Sequence, residues 1–217
     1  MKITLPNVYP ITDTRVSGLS HIEQVRRMVS GGASFIQLRD KSAPAGEFYD
    51  SVVEVMSFTR ERAVKVIVND RVDIALATGA DGVHLGQDDL PAAEARRILG
   101  SNAIIGVSTH SIEQFGSALE LPVDYIAIGP IFATTTKQDH DPVIGTELLR
   151  AVRSIGGQVP IVAIGGINLQ NAGSVLAAGA DSVAVISDVL SEPNRIADRI
   201  HEFLQISPDM TNRVGNP

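Results

Sequence analysis

Eight short aliphatic runs recur along the chain, each followed by an amphipathic stretch, and this alternation limits the possible folds more than any other feature. The runs fall at residues 8–12, 35–38, 64–68, 82–85, 104–107, 125–128, 161–164 and 182–186. They are continuous rather than interleaved with polar residues, as strands buried on both faces are. The intervening stretches carry helix signals. Ser20 and Glu23 form a capping-box pair ahead of Val25, Met28 and Val29. Pro44 suits the first turn of a helix running to about Arg62, and Pro91 that of one ending at Leu99 before Gly100. Ser111 begins another. Gly145-Thr146 precedes Leu148, Leu149 and Val152, and Gly156-Gly157 stops that helix. Asn168 is placed to cap the next, and Pro193 lies in the first turn of the last. Several helices end in small residues leading straight into the following strand, as in Ser30-Gly-Gly-Ala33, Ala77-Thr-Gly-Ala-Asp81 and Ala178-Gly-Ala-Asp181.

Eight strand–helix units in strict order predict an α/β fold, a single-domain (β/α)8 TIM barrel over residues 1–205. The alternative, an open doubly wound sheet, lacks support because no unit carries a Gly-rich dinucleotide turn. Residues 206–217 show no periodicity and read as a flexible C-terminal tail. With no Cys, a disulfide framework, a thiolate nucleophile and a thiolate-held metal are all excluded. A net charge of −7 and only 4% aromatic residues argue against nucleic acid as a partner. No apolar run approaches the ~20 residues of a membrane span, and residues 1–13 hold no signal-peptide run. A cytoplasmic protein handling small molecules, without membrane or nucleic-acid partners, is the expectation.

In such a barrel the chemistry sits at the C-terminal ends of the strands. Strand 2 ends in Gln37-Leu-Arg39-Asp-Lys41, whose alternation turns Gln37, Arg39 and Lys41 to one side. Three such donors suit a polyanion such as pyrophosphate, although a solvated strand end reads the same way. Asp70 and Asp89 follow consecutive strands and could share a hard cation such as Mg²⁺ with substrate phosphate oxygens. Either could instead cap the helix that starts after it. Strand 6 runs into Gly129-Pro130 and then Thr134, Thr135, Thr136 and Lys137, three hydroxyls and an ammonium in a row. That run is built to hold a phosphate. Gly165-Gly166, with Ile186-Ser187 after strand 8, matches the phosphate site that barrels make from their last two loops. His84 reads as a hydrogen-bonded interior residue and His110 as a cap or support, while His21 and His140 look exposed. Ser108 and His110 lack a third member, which rules out triad chemistry. Two phosphate regions and a metal on one rim describe the joining of two phosphorylated partners with loss of pyrophosphate.

These residues, in this order and spacing, resemble the thiamine phosphate synthase family. The resemblance runs from Tyr9-Pro-Ile-Thr-Asp13 through Gln37–Lys41, Val68-Asn-Asp70-Arg71, residues 82–89, Gly106-Val-Ser-Thr-His110 and residues 124–137 to Ala163-Ile-Gly-Gly-Ile167 and Val183-Ala-Val-Ile-Ser187. It implies a transferase that joins 4-amino-2-methyl-5-(hydroxymethyl)pyrimidine diphosphate to a thiazole phosphate, giving thiamine phosphate and pyrophosphate by Mg²⁺-assisted dissociative displacement. By position, Gln37, Arg39, Lys41, Asn69, Ser108 and Lys137 would contact the pyrimidine diphosphate, with Arg39, Lys41, Ser108 and Lys137 as the catalytic groups. Asp70 and Asp89 would hold Mg²⁺. Thr134, Thr135, Thr136, Gly166, Ile186 and Ser187 would hold the thiazole phosphate. A thiazole tautomerase on the same barrel is the nearest rival, and a non-catalytic thiamine phosphate binder is a second. The tautomerase would not need the pyrophosphate clamp that this chain retains. The segment Gln138-Asp-His-Asp141 is more acidic than the family's pattern, which bears on the shape of that loop.

Overall fold

Eight parallel strands form the centre of the structure, a computed structural model that describes residues 3–134 and 142–207. They are β1 (Val8–Pro10), β2 (Phe35–Leu38), β3 (Lys65–Asn69), β4 (Gly82–Leu85), β5 (Ile104–Thr109), β6 (Tyr125–Ile128), β7 (Ile161–Ile164) and β8 (Ser182–Val185). The helices are α1 (Thr14–Ser17), α2 (His21–Ser30), α3 (Ala45–Thr59), α4 (Val72–Thr78), α5 (Ala92–Leu99), α6 (Ile112–Ala118), α7 (Gly145–Ile155), α8 (Ala172–Ala177), α9 (Ser187–Leu190) and α10 (Ile196–Leu204). Neighbouring strands pair in the order β1-β8-β7-β6-β5-β4-β3-β2. The ring closes where Ile11 bridges Gln37 and the Thr12 N–H donates to the Gln37 carbonyl at 2.9 Å. This is the (β/α)8 barrel expected from the alternation.

Strand parity divides the core in two. Tyr9, Phe35, Ile67, Tyr125, Ala127, Val162 and Ala184 fill the barrel interior. Their sequence neighbours, such as Ile36, Val66, Val68, Ile126 and Val183, face the helices. Both faces exclude water, which is why the strands read as unbroken aliphatic runs. Gly106 makes the inner packing possible, because a Cβ there would overlap the Tyr125 ring.

The N-terminal rim repeats a clamp at alternate strands. Asp81, Asp124 and Asp181 precede β4, β6 and β8. Their carboxylates accept the N–H groups of Val66, Ile105 and Ile161, while their own N–H groups donate to the same three residues' carbonyls. Lys65, Arg96 and Arg153 neutralise the three carboxylates. Two of the three small-residue turns noted in the sequence, those ending in Asp81 and Asp181, therefore mark strand pairs rather than single units.

Some element ends differ from expectation. Pro44 and Pro91 occupy N-cap positions, and α3 stops at Thr59 rather than near Arg62. Asn168 does not cap α8, which begins at Ala172 behind Asn171. Its carboxamide oxygen instead accepts the N–H groups of Gln170 and Asn171, closing a turn one step earlier. The Ser20–Glu23 capping box is present. Ile206 still contacts the body, its carbonyl accepting from Asn7 at 2.9 Å, and the rest of the expected tail, 208–217, lies outside the described residues. Among the described residues no helix is long and apolar enough to cross a membrane.

Candidate active site

At the C-terminal ends of the strands a cavity of about 460 Å³ opens. Gln37, Arg39, Lys41, Asn69, Asp70, Asp89, Ser108, Thr134, Gly166, Ile186 and Ser187 all line it, so the expected site residues that are described share one chamber. Thr135, Thr136 and Lys137 lie outside the described residues, as do His140 and the acidic segment 138–141.

The cationic wall comes from the loop after β2, and each of its members has a partner. Arg39, largely buried, donates to the Asp13 carboxylate at 2.9 Å. Asp13 is only 3% exposed and also caps α1 through the Arg15 N–H. Sequence reasoning does not single it out, although it stands just past the first run as the other site residues stand just past theirs. Lys41 reaches Asp70 at 2.5 Å.

The loop carrying these cations is fixed from below by His21, which is buried rather than exposed as expected. Its Nδ1 meets the Thr12 hydroxyl at 2.8 Å and its Nε2 faces the Asp40 carboxylate at 3.4 Å. The imidazole also lies against Phe48, with ring centroids 5.8 Å apart. Burial lowers the His21 pKa, with Asp40 and Asp13 opposing. Asp40 accepts from the Ser42 hydroxyl and from the Ser42 and Ala43 N–H groups. Burial alone would raise its pKa, but these donors hold it at about 2.

Asp70 and Asp89 are not helix caps. Arg71 and Pro91 occupy the N-cap positions of α4 and α5. Asp70 adopts φ +60°, and the Arg71 N–H donates across it to the Asn69 carbonyl at 2.7 Å. Such a left-handed residue is uncommon outside glycine, and Asp is among those that tolerate it. One Asp89 oxygen accepts the Gly86 N–H at 2.6 Å. Burial and then the Asp89 carboxyl raise the Asp70 pKa, with Lys41 opposing. Two carboxylates thus crowd one corner with the Lys41 ammonium beside them. That donor set fits a hard divalent cation completed by substrate oxygens. Among the described residues no group of three or more His, Asp or Glu side chains could hold a metal unaided.

The opposite wall is backbone-rich. Gly165 and Gly166 take φ +101° and +62°, and a Cβ on Gly166 would stand 2.5 Å from the Ala133 carbonyl. Only glycine lets the chain after β7 fold this closely against the segment leading to Thr134. Ile186 and Ser187 complete this wall at the start of α9.

A chain of hydrogen bonds crosses the barrel beneath the cavity. Gln37 Nε2 donates to the Tyr9 hydroxyl at 3.0 Å, and that hydroxyl meets the Tyr125 hydroxyl at 3.0 Å. Tyr125 meets His84 Nδ1 at 2.9 Å, and His84 Nε2 meets Ser108 Oγ at 2.8 Å. The His84 and Tyr125 rings stack with centroids 5.5 Å apart. Burial lowers the His84 pKa to about 4, with Asp89 opposing and Lys41 reinforcing. Burial also raises both tyrosines, so they stay phenols. His84 is the satisfied interior histidine that its apolar strand suggested. His110 supports the rim, with Nδ1 on the Gly129 carbonyl. Ser108 and His110, two residues apart, engage different partners and form no dyad.

Comparison with known proteins fits this geometry. The family model described as thiamine monophosphate synthase matches residues 8–189. The chain is 49% identical over 188 residues to a thiamine-phosphate synthase of Methanospirillum hungatei, covering 86% of this chain and 91% of that one. It is 47% identical over 185 residues to the thiamine-phosphate synthase of Chloroflexus aurantiacus, covering 85% of each. Among solved structures it is similar to a thiamine phosphate pyrophosphorylase from Pyrococcus furiosus, with a TM-score of 0.83 and 40% identity over 92% of this chain and 94% of the other.

Proposed function

The chain belongs to the thiamine monophosphate synthase family, and from that premise we propose how its own residues carry out thiamine phosphate synthesis. The substrates are an aminopyrimidine methyl diphosphate and a thiazole phosphate. The bond between the methylene carbon and the diphosphate oxygen breaks, and its electron pair leaves with pyrophosphate. The thiazole nitrogen then donates its lone pair to the methylene carbon.

The observation that carries this reading is the two-sided cavity: Arg39, Lys41, Asp70 and Asp89 at one wall, Gly165, Gly166 and Ser187 at the other. Arg39 and Lys41 bind the diphosphate and neutralise the charge that develops on it. Asp70 and Asp89 would hold Mg²⁺, which when bound supplies further neutralisation of the departing pyrophosphate. Gln37, Asn69 and Ser108 orient the pyrimidine. Thr134, Gly166, Ile186 and Ser187 receive the thiazole phosphate, with Thr135 and Thr136 adjoining in sequence and Lys137 as a further cation for the leaving group. A dissociative step asks for alignment and charge compensation rather than a strong base. This agrees with a cavity whose interior imidazole, His84, has both nitrogens engaged.

The test is to mix the purified protein with both phosphorylated substrates and Mg²⁺ and assay thiamine phosphate and pyrophosphate together. Equal amounts of the two are expected. Absence of pyrophosphate release would sink the proposal.

A further inference from the structure

A buried carboxylate stands where a neutral residue would serve the local structure as well. Asp13 follows β1, and one of its oxygens caps α1 by accepting the Arg15 N–H at 3.0 Å. Such a cap needs one short acceptor, which Ser or Asn supplies without a charge. Burying an ionised carboxylate costs free energy unless a cation answers it. The answering cation is not the local one. Arg15 reaches the second oxygen only at 3.5 Å and is 59% exposed. Arg39, 14% exposed and carried by the loop after β2, donates to that oxygen at 2.9 Å.

Asp13 is itself fixed on several sides. Its N–H donates to the Gln24 carboxamide at 3.1 Å, and Gln24, wholly buried in α2, is anchored on the Leu19 carbonyl at 2.9 Å. Its carbonyl accepts the N–H and the hydroxyl of Ser17, both at 3.3 Å. The stretch after β1 grips Arg39 at two points, since the Arg39 backbone N–H donates to the Thr12 hydroxyl at 3.2 Å. A long side chain that would sample many rotamers in a solvated loop is thus held at its root and at its tip.

Arg39 lines the cavity beside Lys41, whereas Asp13 is not among the lining residues. A guanidinium carries five N–H donors in a planar fork, and the Asp13 contact uses one of them. With that corner pinned, the plane of the fork is set relative to the chamber, and donors remain for the paired contacts that a guanidinium makes with phosphate oxygens. We infer that Asp13 is a positioning residue that aims the Arg39 guanidinium at the diphosphate from across the β1–β2 junction, without touching the substrate. The inference rests on the reaction proposed above. Its sign is particular, because a negative charge near a diphosphate disfavours it, so any benefit from Asp13 must pass through Arg39.

The test uses Asp13→Asn, Arg39→Gln and the two together. Asp13→Asn keeps the shape and the capping oxygen but turns an amide NH2 towards Arg39. Arg39→Gln keeps a donor for the Asp13 carboxylate, which guards folding. For each protein the measured quantities are kcat/KM for the pyrimidine diphosphate, KM for the thiazole phosphate, the calorimetric affinity for inorganic pyrophosphate with Mg²⁺, and the melting temperature. With Arg39 present, Asp13→Asn should lower kcat/KM for the diphosphate and the pyrophosphate affinity by about tenfold or more, the worth of one charge-assisted hydrogen bond. The thiazole phosphate KM should hold. With Gln at position 39, the same change should leave both diphosphate quantities unchanged or raised. A loss of equal size in both backgrounds, wild-type values in Asp13→Asn, or a thiazole phosphate KM that rises in step would each overturn the inference. If Arg39→Gln does not fold, the split between the two substrates in Asp13→Asn decides alone. A wild-type protein that binds pyrophosphate yet makes no thiamine phosphate would overturn the proposed reaction instead, and the pyrophosphate affinities would still read the role of Asp13.

Discussion

Taking the protein from about pH 7.5 to about pH 4 should unload one identifiable residue. His84 sits in the barrel interior, where burial lowers its pKa from 6.5 to about 4. In the unfolded chain the same imidazole protonates near 6.5. Between the two values the unfolded state therefore binds a proton that the folded state refuses, and stability falls as pH falls. The contribution is complete above about pH 6.5 and is exhausted near pH 4, with nothing further lost below that from this residue. A shift of this size at about 1.4 kcal/mol per unit comes to about 3 kcal/mol. His21, also lowered by burial, adds to the same acid arm, so the measurement needs a reference. Urea unfolding of the wild type and of His84→Gln should be followed at several values across this range. The glutamine of the variant cannot titrate, so the gap between the two proteins should close by about 3 kcal/mol as the pH drops. Parallel losses in the two proteins would refute the assignment of a neutral, buried His84.

Other outcomes follow from particular contacts. Asp89→Ala should lower turnover by ~10²-fold or more, as loss of one electrostatic stabiliser does, and raise the Mg²⁺ concentration needed; Lys137→Ala should match it in turnover, and near-normal pyrophosphate release from either would count against the proposed roles. Gly166→Ala brings a Cβ to 2.5 Å from the Ala133 carbonyl at φ +62°, so KM for the thiazole phosphate should rise about tenfold or more while KM for the pyrimidine diphosphate holds. Gly106→Ala overfills the barrel interior against Tyr125 and should cost about 3 kcal/mol, read as a melting temperature lower by roughly 10 °C.

The barrel is legible in the sequence because its strands are buried on both faces. β2, β4, β6 and β7 fall at the expected residues, since each aliphatic run ends where its strand does. Helices α1 and α9 leave no such trace, for four residues are too few to show a 3.6-residue period. The rim is readable from strand ends, yet Asp13 escapes that reading because its importance lies in a partner, Arg39, that a different strand supplies. His21 is misleading for the same reason, since its cover includes the Asp40 loop, distant in sequence. The chain through Tyr9, Tyr125 and His84 is hidden more deeply. Alternation tells which side chains enter the barrel, but who meets whom across the interior depends on how the ring closes.

That closure is uneven. The pairs β3–β4, β5–β6 and β7–β8 are each clasped by an aspartate at the N-terminal rim, whereas β1 and β2 meet through the Ile11–Gln37 bridge and through side chains. Thr12 accepts the Arg39 N–H, and His21 ties Thr12 to Asp40. The ring thus has a seam, and local opening should begin where regular backbone pairing is thinnest. Because that seam carries Gln37 and Arg39, slow opening of the barrel should widen the cavity beside Arg39 before it disturbs the glycine wall. On the proposed roles, the diphosphate would then lie against the part of the ring that opens first, with the thiazole phosphate at the part that opens last.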